Sequence, residues 1–386
     1  MATTTLRVVL DDIAAPASRS LRRYTQELTT ALISVAPPSC DVAGIASSSV
    51  EAQSGLSEKT FPGLSELTTL RLGHDSLARA WQHGVTSIPA TRMSSKGLIH
   101  SPSLFAPLAR HDRVNDLGTQ TVVTVHDVLA WTHPSSLSNR QVAWHKAMAK
   151  RAFKFADAVV VTTHSVADEL NEIMDFGDRV RVVPGAAATG LSQPYNAEAR
   201  ALALELPEQY IFTTGTLSPH NKLDALIAAM AHPDAPNVPL LISGPPAWGN
   251  QNLQTVIAEA GLTSDRVRHL GVLDDADLAV AFERATVFAQ PSIAEGFCLP
   301  VLEAFSAGTP VVHSDPSAVL ELAAGAGVTV PSNDAESYPE RLAIALSRVV
   351  NDHALARQLS IQGLDRAGVF SWRAAAEKVW QLHADL

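Results

Sequence analysis

The amino-acid sequence predicts two doubly wound α/β domains, each built on a parallel β-sheet. Three observations carry this prediction. A chain of 386 residues exceeds what a single core ordinarily serves. Short runs rich in valine and isoleucine alternate with longer amphipathic stretches, the pattern of repeated strand–helix units. Most runs are continuously apolar rather than alternating, as expected of parallel strands covered on both faces.

In chain order, the first series opens with the strand LRVVL (6–10), a helical pattern over 21–35, and the strands CDVAGIA (40–46), GLIHS (97–101) and TVVTVH (121–126). A helix over 138–155, the strand AVVVTT (158–163), a helix over 165–174 and the strand VRVVP (180–184) complete it. Small residues, glycines and prolines in 185–207 break the alternation and mark a boundary. The second series has strands YIFTTG (210–215), PLLISG (239–244), RVRHLG (266–271), TVFAQP (286–291), TPVVHS (309–314) and GVTVP (327–331). Helical patterns cover 221–231, 250–260, 275–285, 299–308 and 334–350 between and after them. FSWRAAAEKVWQLHADL (370–386) is a closing amphipathic helix with Ser371 as its N-cap. The predicted domains are therefore 1–190 and 191–369. Periodicity leaves open whether the last helix finishes its own domain or packs on the first.

Composition narrows the function. Hydrophobic residues at 46% and charged residues at 18% describe a soluble globular chain. A net charge of −10 argues against a nucleic-acid partner, which requires a concentrated basic face. Cys40 and Cys298 provide neither a disulfide framework nor a zinc cluster, which fits a reducing cytoplasm. The start MATTTLRVVLDD lacks the layout of a signal peptide, and no run approaches the roughly 20 apolar residues of a membrane span. DDAD (274–277) reads as a helix cap rather than a metal site, and no metal is expected.

The chemistry concentrates in PSIAEGFCLPVLE (291–303). A strand ends at its start, and Pro300 suits the first turn of a following helix. Glu295 then stands in the loop and Glu303 about one turn into the helix. Both lie at the carboxyl edge of a parallel sheet, where open α/β domains bind ligands. The helix start offers unpaired N–H groups to an anion, and each carboxylate can accept from two neighbouring hydroxyls. Two polyol grips flanking an anion site describe a nucleotide-sugar. The plainer reading is a solvated loop glutamate and a first-turn glutamate favoured by the helix dipole.

EGFCLPVLEAFSAGTPVV (295–312) resembles the signature of family 4 glycosyltransferases, retaining enzymes of the GT-B fold. FTTGTLSPHNKLDALIAAM (212–230), LLISGPPAWGN (240–250) and VRHLGVLDDADLAVAFERATVFAQPS (267–292) are similar to its donor-phosphate loop and the segments that follow. VVTVHDVLAWTHP (122–134) and ADAVVVTTHSVADEL (156–170) resemble the acceptor domain of its mannosyltransferase-like branch. The resemblance implies two Rossmann-like domains, a deep cleft between them and a terminal helix that crosses back to the first. It also implies Glu303 on the donor ribose, Glu295 on the transferred sugar, and the amides of Gly296, Phe297, Cys298 and Leu299 along the hexose and phosphates. Gly215, Thr216, His220 and Lys222 form the phosphate loop, and His126 points toward the reacting sugar. The commoner role of a histidine at a strand end is to be satisfied by a loop carbonyl.

Three departures stand out. In GTLSPHNKL, His220 and Asn221 occupy slots where the family carries arginine and lysine, and Lys222 follows one place later. On a helix, one residue of slippage turns a side chain by about 100°. PASRSLRRYTQEL (16–28) lacks the family's glycines, and Arg19, Arg22 and Arg23 read as a solvated face or first turn of the following helix. VPGAA (183–187) replaces an asparagine–glycine pair. The expectation is a hexosyltransferase using a GDP- or UDP-linked sugar as substrate, with no further cofactor, on a glycan or lipid-linked acceptor of the cell envelope. A non-catalytic GT-B subunit is the alternative. Lys146, Lys150 and Lys154 along one helix could rest on an anionic membrane, although a solvated basic face is the preferred reading.

Overall fold

A computed structural model describes residues 4–14, 18–50, 56, 60–86, 97–112, 115 and 118–386. The chain divides into two compact units, Met1–Pro134 with Ser138–Gly185 and Ser371–Leu386, and Ser135–Leu137 with Ala186–Phe370.

The first unit holds strands β1 (Thr4–Val9), β2 (Cys40–Ser47), β3 (Leu67–Leu70), β4 (Gly97–Ser101), β5 (Thr119–Val125), β6 (Ala158–Val161) and β7 (Val180–Val182). They form one sheet in the order β3-β2-β1-β4-β5-β6-β7, every pairing parallel. The interior strand β6, AVVV, is buried along its whole length, which is why it reads as an unbroken apolar run. Edge strand β3, LTTL, is half-exposed and carries two threonines, so it shows no apolar run and lies outside the predicted set. The helix Asn139–Phe155 begins with a full capping box between Ser138 and Gln141. The closing helix Trp372–Asp385 belongs to this unit. Trp380 Nε1 donates to the Leu32 carbonyl at 3.1 Å, and Gln120 pairs with His383 through its amide oxygen at 2.9 Å and its nitrogen at 3.2 Å.

The second unit holds β8 (Ile211–Thr214), β9 (Leu240–Ser243), β12 (Val267–Gly271), β13 (Val287–Gln290), β14 (Val311–Ser314) and β15 (Val328–Val330). A small antiparallel hairpin, β10 (Ala247–Trp248) and β11 (Gln251–Asn252), stands apart from them. The main sheet runs β12-β9-β8-β13-β14-β15, all parallel. Numbered within the domain, this is the order 3-2-1-4-5-6 of a dinucleotide-binding sheet, so the winding reverses between β8 and β13. Beyond the predicted elements lies a helix His353–Ala367, whose Gly363 is packed so tightly that a Cβ there would stand 2.7 Å from the Phe305 ring.

Candidate donor site

Ligands of open α/β sheets bind outside the carboxyl ends of the strands where the winding reverses. In the second unit those strands are β8 and β13. The two segments singled out in the sequence, Gly215–Lys222 and Pro291–Cys298, are the loops that leave them.

The loop after β8 departs through Gly215. A Cβ placed on neighbouring Gly244 would come 1.9 Å from the Gly215 carbonyl oxygen, so the two strand exits cross at a distance that a side chain at 244 would forbid. Thr216 then braces the loop. Its Oγ1 accepts from Ser218 N at 3.3 Å and from Asn221 Nδ2 at 3.0 Å. His220 Nδ1 lies 2.9 Å from Ser218 Oγ, and its backbone N–H donates to Ser136 Oγ at 3.1 Å. After the turn Pro219–Asn221 the chain passes Lys222 in the left-handed region, with φ 51° and ψ 33°, and enters the helix Leu223–Ala231. The helical rotation of 100° expected for a displaced lysine therefore does not apply, because Lys222 precedes the helix and takes its direction from the left-handed turn. Its ammonium forms no ion pair among the described residues.

The loop after β13 is fixed from several sides. Tyr338 OH donates to the Pro291 carbonyl at 2.7 Å, and Ser314 Oγ to that of Ser292. Gln290 Nε2 donates both to Ser292 Oγ at 3.0 Å and to Glu295 Oε1 at 3.0 Å. Ile293 N donates to the His220 carbonyl at 2.8 Å, which ties the two loops together. Cys298 also adopts a left-handed conformation, φ 63° and ψ 60°, just before the helix Leu299–Ser306. Phe297 and Leu299 turn their side chains into the core, where Phe297 meets Phe370 edge-on at 5.8 Å. Their contribution at the loop is main-chain N–H, of which the first turn of any helix leaves several without an intrahelical partner.

Glu303 is 4% exposed, so it is a buried carboxylate, while Glu295 in the loop is half-buried rather than fully solvated. Burial pushes the Cys298 thiol well above its ordinary range, and the charges of Glu295 and then Glu303 push it further. Both carboxylates thus act on one sulfur, Glu295 from the loop and Glu303 from the helix. Gly215, Thr216, His220, Lys222, Glu295, Gly296, Phe297, Cys298, Leu299 and Glu303 all belong to these two loops and the helix that follows the second. Gln290 and Gly244 were not foreseen. A glycine closing the apolar run 239–244 was the available signal for Gly244, whereas nothing in spacing announces that Gln290 will reach Glu295.

His126 belongs to the first unit, at the end of β5. Its Nε2 donates to the Pro102 carbonyl at 2.7 Å, and Tyr24 meets its ring edge-on at 4.6 Å. Burial lowers its pKa, so the ring is neutral, with Nε2 protonated because a carbonyl can only accept. Of the nearby arginines, Arg22 is exposed as expected, while Arg23 is 6% exposed and so does not lie on the solvated face predicted for it. One group with metal-ligand spacing occurs among the described residues, His232, Asp234 and Glu340 on the surface, away from both loops.

Comparison with known proteins agrees with this geometry. Residues 195–363 match the family "Glycosyl transferases group 1" and residues 96–189 match "Glycosyltransferase Family 4". The O-antigen chain mannosyltransferase B of Escherichia coli is 25% identical over 282 residues, 71% of this chain and 71% of that protein. The sucrose-phosphate synthase of Thermosynechococcus elongatus superposes with a TM-score of 0.76 at 20% identity, covering 99% of this chain and 98% of that one. The Anabaena protein HepE, solved with UDP and glucose, gives 0.73 at 16% identity, covering 99% and 100%. These likenesses establish the fold as GT-B.

Proposed function

Because the chain belongs to the family 4 glycosyltransferases of GT-B type, we propose that it moves a hexose, mannose or a close relative, from a GDP- or UDP-linked donor to a glycan or lipid-linked acceptor. The anomeric configuration is retained. The reading is supported by the mannosyltransferase relative and by the UDP and glucose of the Anabaena neighbour. The observation that carries it is the pairing of two loops at the winding reversal, tied through Ile293 and His220, with Glu295 and Glu303 on either side of Cys298.

In this reading Glu303 accepts hydrogen bonds from the ribose hydroxyls, and Glu295, positioned by Gln290, from the hexose. The C–O bond between the anomeric carbon and the diphosphate breaks, and the charge left on the phosphate falls on main-chain N–H groups, on the dipole of the helix Leu299–Ser306 and on Lys222. The acceptor hydroxyl attacks from the same face and passes its proton to the departing phosphate. His126 is proposed to contact the reacting sugar through Nδ1, since its Nε2–H is committed to Pro102. The setting is the cytoplasm, with any membrane contact peripheral. No helix among the described residues is long and apolar enough to cross a membrane.

A non-catalytic partner subunit, suggested by the departures around the donor phosphates, is not favoured by the comparisons. The test is incubation with a panel of UDP- and GDP-hexoses and oligosaccharide acceptors, with products followed by NMR of the anomeric proton. An α-linked product from an α-linked donor is expected. A β-linked product, or no turnover of any donor, overturns the proposal.

A further inference from the structure

Strands β4 and β5 are parallel neighbours, so the chain between them returns from the carboxyl edge of the first unit's sheet to its amino edge. Arg110, His111 and Asp112 lie on this return. His111 is fixed at the amino edge from two sides. Its Nδ1 lies 3.1 Å from the Ala109 carbonyl oxygen, and its Nε2 lies 2.9 and 3.0 Å from the two oxygens of Asp157, the residue before β6. Asp157 Oδ2 also accepts from Thr121 N in β5, at 2.6 Å. A carbonyl and a carboxylate only accept, so both ring nitrogens donate and the imidazolium is matched by one buried carboxylate. Beside this pair is a cavity of about 740 Å³. It is lined by Arg110, His111 and Asp112 from the loop, and by Lys154 and Phe155 from the end of the helix Asn139–Phe155.

The charge gathered there runs against that of the chain, whose net value is −10. Arg110 and Lys154 face the cavity against the single acid Asp112, and the Arg151 guanidinium stands 5.0 Å from the Phe155 ring. Asp112 is already engaged, accepting from Asn115 N at 3.0 Å and from Asn115 Nδ2 at 2.8 Å. The negative end of the helix does not account for the cations either. Its Phe153 carbonyl and the adjoining Ala156 carbonyl accept from Arg179, at 3.0 and 2.9 Å. Arg110 forms no hydrogen bond or ion pair among the described residues. The cavity has the size of small-molecule sites, about 300–1,000 Å³, and Phe155 gives it an apolar wall. A phosphate suits this lining because it offers several charged oxygens, one pair to the arginine fork and another to a lysine.

We propose that this cavity binds a phosphate-bearing ligand, a soluble phosphate compound or the headgroup of an anionic lipid, through Arg110 and Lys154, with Phe155 against its organic part. The cavity lies at the amino ends of the strands, whereas His126 follows the carboxyl end of β5 in the same sheet. A ligand held there takes no part in the sugar transfer, and the inference does not depend on the donor assignment.

The experiment uses the full chain. Calorimetry is run with inorganic pyrophosphate, with glucose 6-phosphate and with glucose as the uncharged control. Sedimentation is run with vesicles of phosphatidylcholine, alone or mixed with phosphatidylglycerol. Wild type is compared with the double variant Arg110→Gln, Lys154→Gln, two exposed positions where substitution leaves the fold intact. Lys222→Gln reports on phosphate held at the donor loop instead. At least one phosphate compound, or the phosphatidylglycerol vesicles, is expected to bind while glucose does not. That affinity falls about tenfold in the double variant and is unchanged in Lys222→Gln. Binding of a phosphate compound identifies a soluble ligand, and vesicle binding without it identifies a headgroup. The proposal is overturned if neither binds at millimolar concentration, if the double variant binds like wild type, or if only Lys222→Gln loses binding. UDP and GDP titrated into the same samples keep the two readings apart. Their failure to bind removes the donor assignment alone, and their binding to a chain indifferent to the double variant removes this inference alone.

Discussion

Lys222 holds a left-handed backbone conformation, φ 51°, at the point where the phosphate loop becomes a helix. A residue with a side chain pays about 1 kcal/mol for that region relative to glycine. Under the proposed function, the ammonium of Lys222 is what that position supplies. Lys222→Gly is therefore expected to raise stability in urea unfolding by about 0.5–1 kcal/mol while weakening nucleotide affinity about tenfold or more. A variant that binds nucleotide like wild type would dissociate Lys222 from the phosphate. The glutamates were legible from their motif, since loop and helix-start positions follow from a strand, a proline and a glycine. The backbone state of Lys222 was not, because left-handed geometry in a non-glycine residue leaves no mark on composition. The pairing of Gln290 with Glu295 was equally silent: hydrogen bonds across a turn depend on where the turn points.

At the scale of elements, legibility followed burial. Strands buried on both faces, such as β6 and β13, declare themselves as apolar runs. The edge strand β3 and the hairpin β10–β11 do not, because threonines and half-exposed residues carry no period. The helix His353–Ala367 escaped because Gly363 interrupts it, and that glycine is explained only by the Phe305 ring it meets. The closing helix has a pH consequence. His383, against Gln120, has its pKa lowered to about 4 by burial, and fully buried His100, its ring 5.6 Å away, is lowered well below its ordinary value by burial and by His383. The unfolded chain binds protons there that the folded chain refuses, so stability is present above about 6.5 and is lost as pH falls toward 4. Asp12, raised to about 6, acts in the opposite direction, losing stability as pH rises from about 4 to 6, but His126 and His313, also lowered by burial, add to the histidine side. Thermal melts should therefore show Tm falling between pH 6.5 and 4.5. His383→Gln should flatten that fall, and an unchanged slope would contradict the assignment.

For the whole molecule, the class of fold could be read from the chain, whereas the strand order could not. Alternating strands and helices require parallel sheets, but only three-dimensional pairing shows that winding reverses between β1 and β4 in one unit and between β8 and β13 in the other. That reversal explains why the segments 215–222 and 291–303, some 75 positions apart in sequence, leave neighbouring strands and meet through Ile293 and His220. The account stands on that site holding a nucleoside diphosphate. Isothermal calorimetry with UDP and GDP on the intact protein tests it most directly. Micromolar binding of at least one nucleotide, weakened at least tenfold by Glu303→Ala, is the predicted result. No binding of either at millimolar concentration, or binding indifferent to Glu303→Ala, would contradict it.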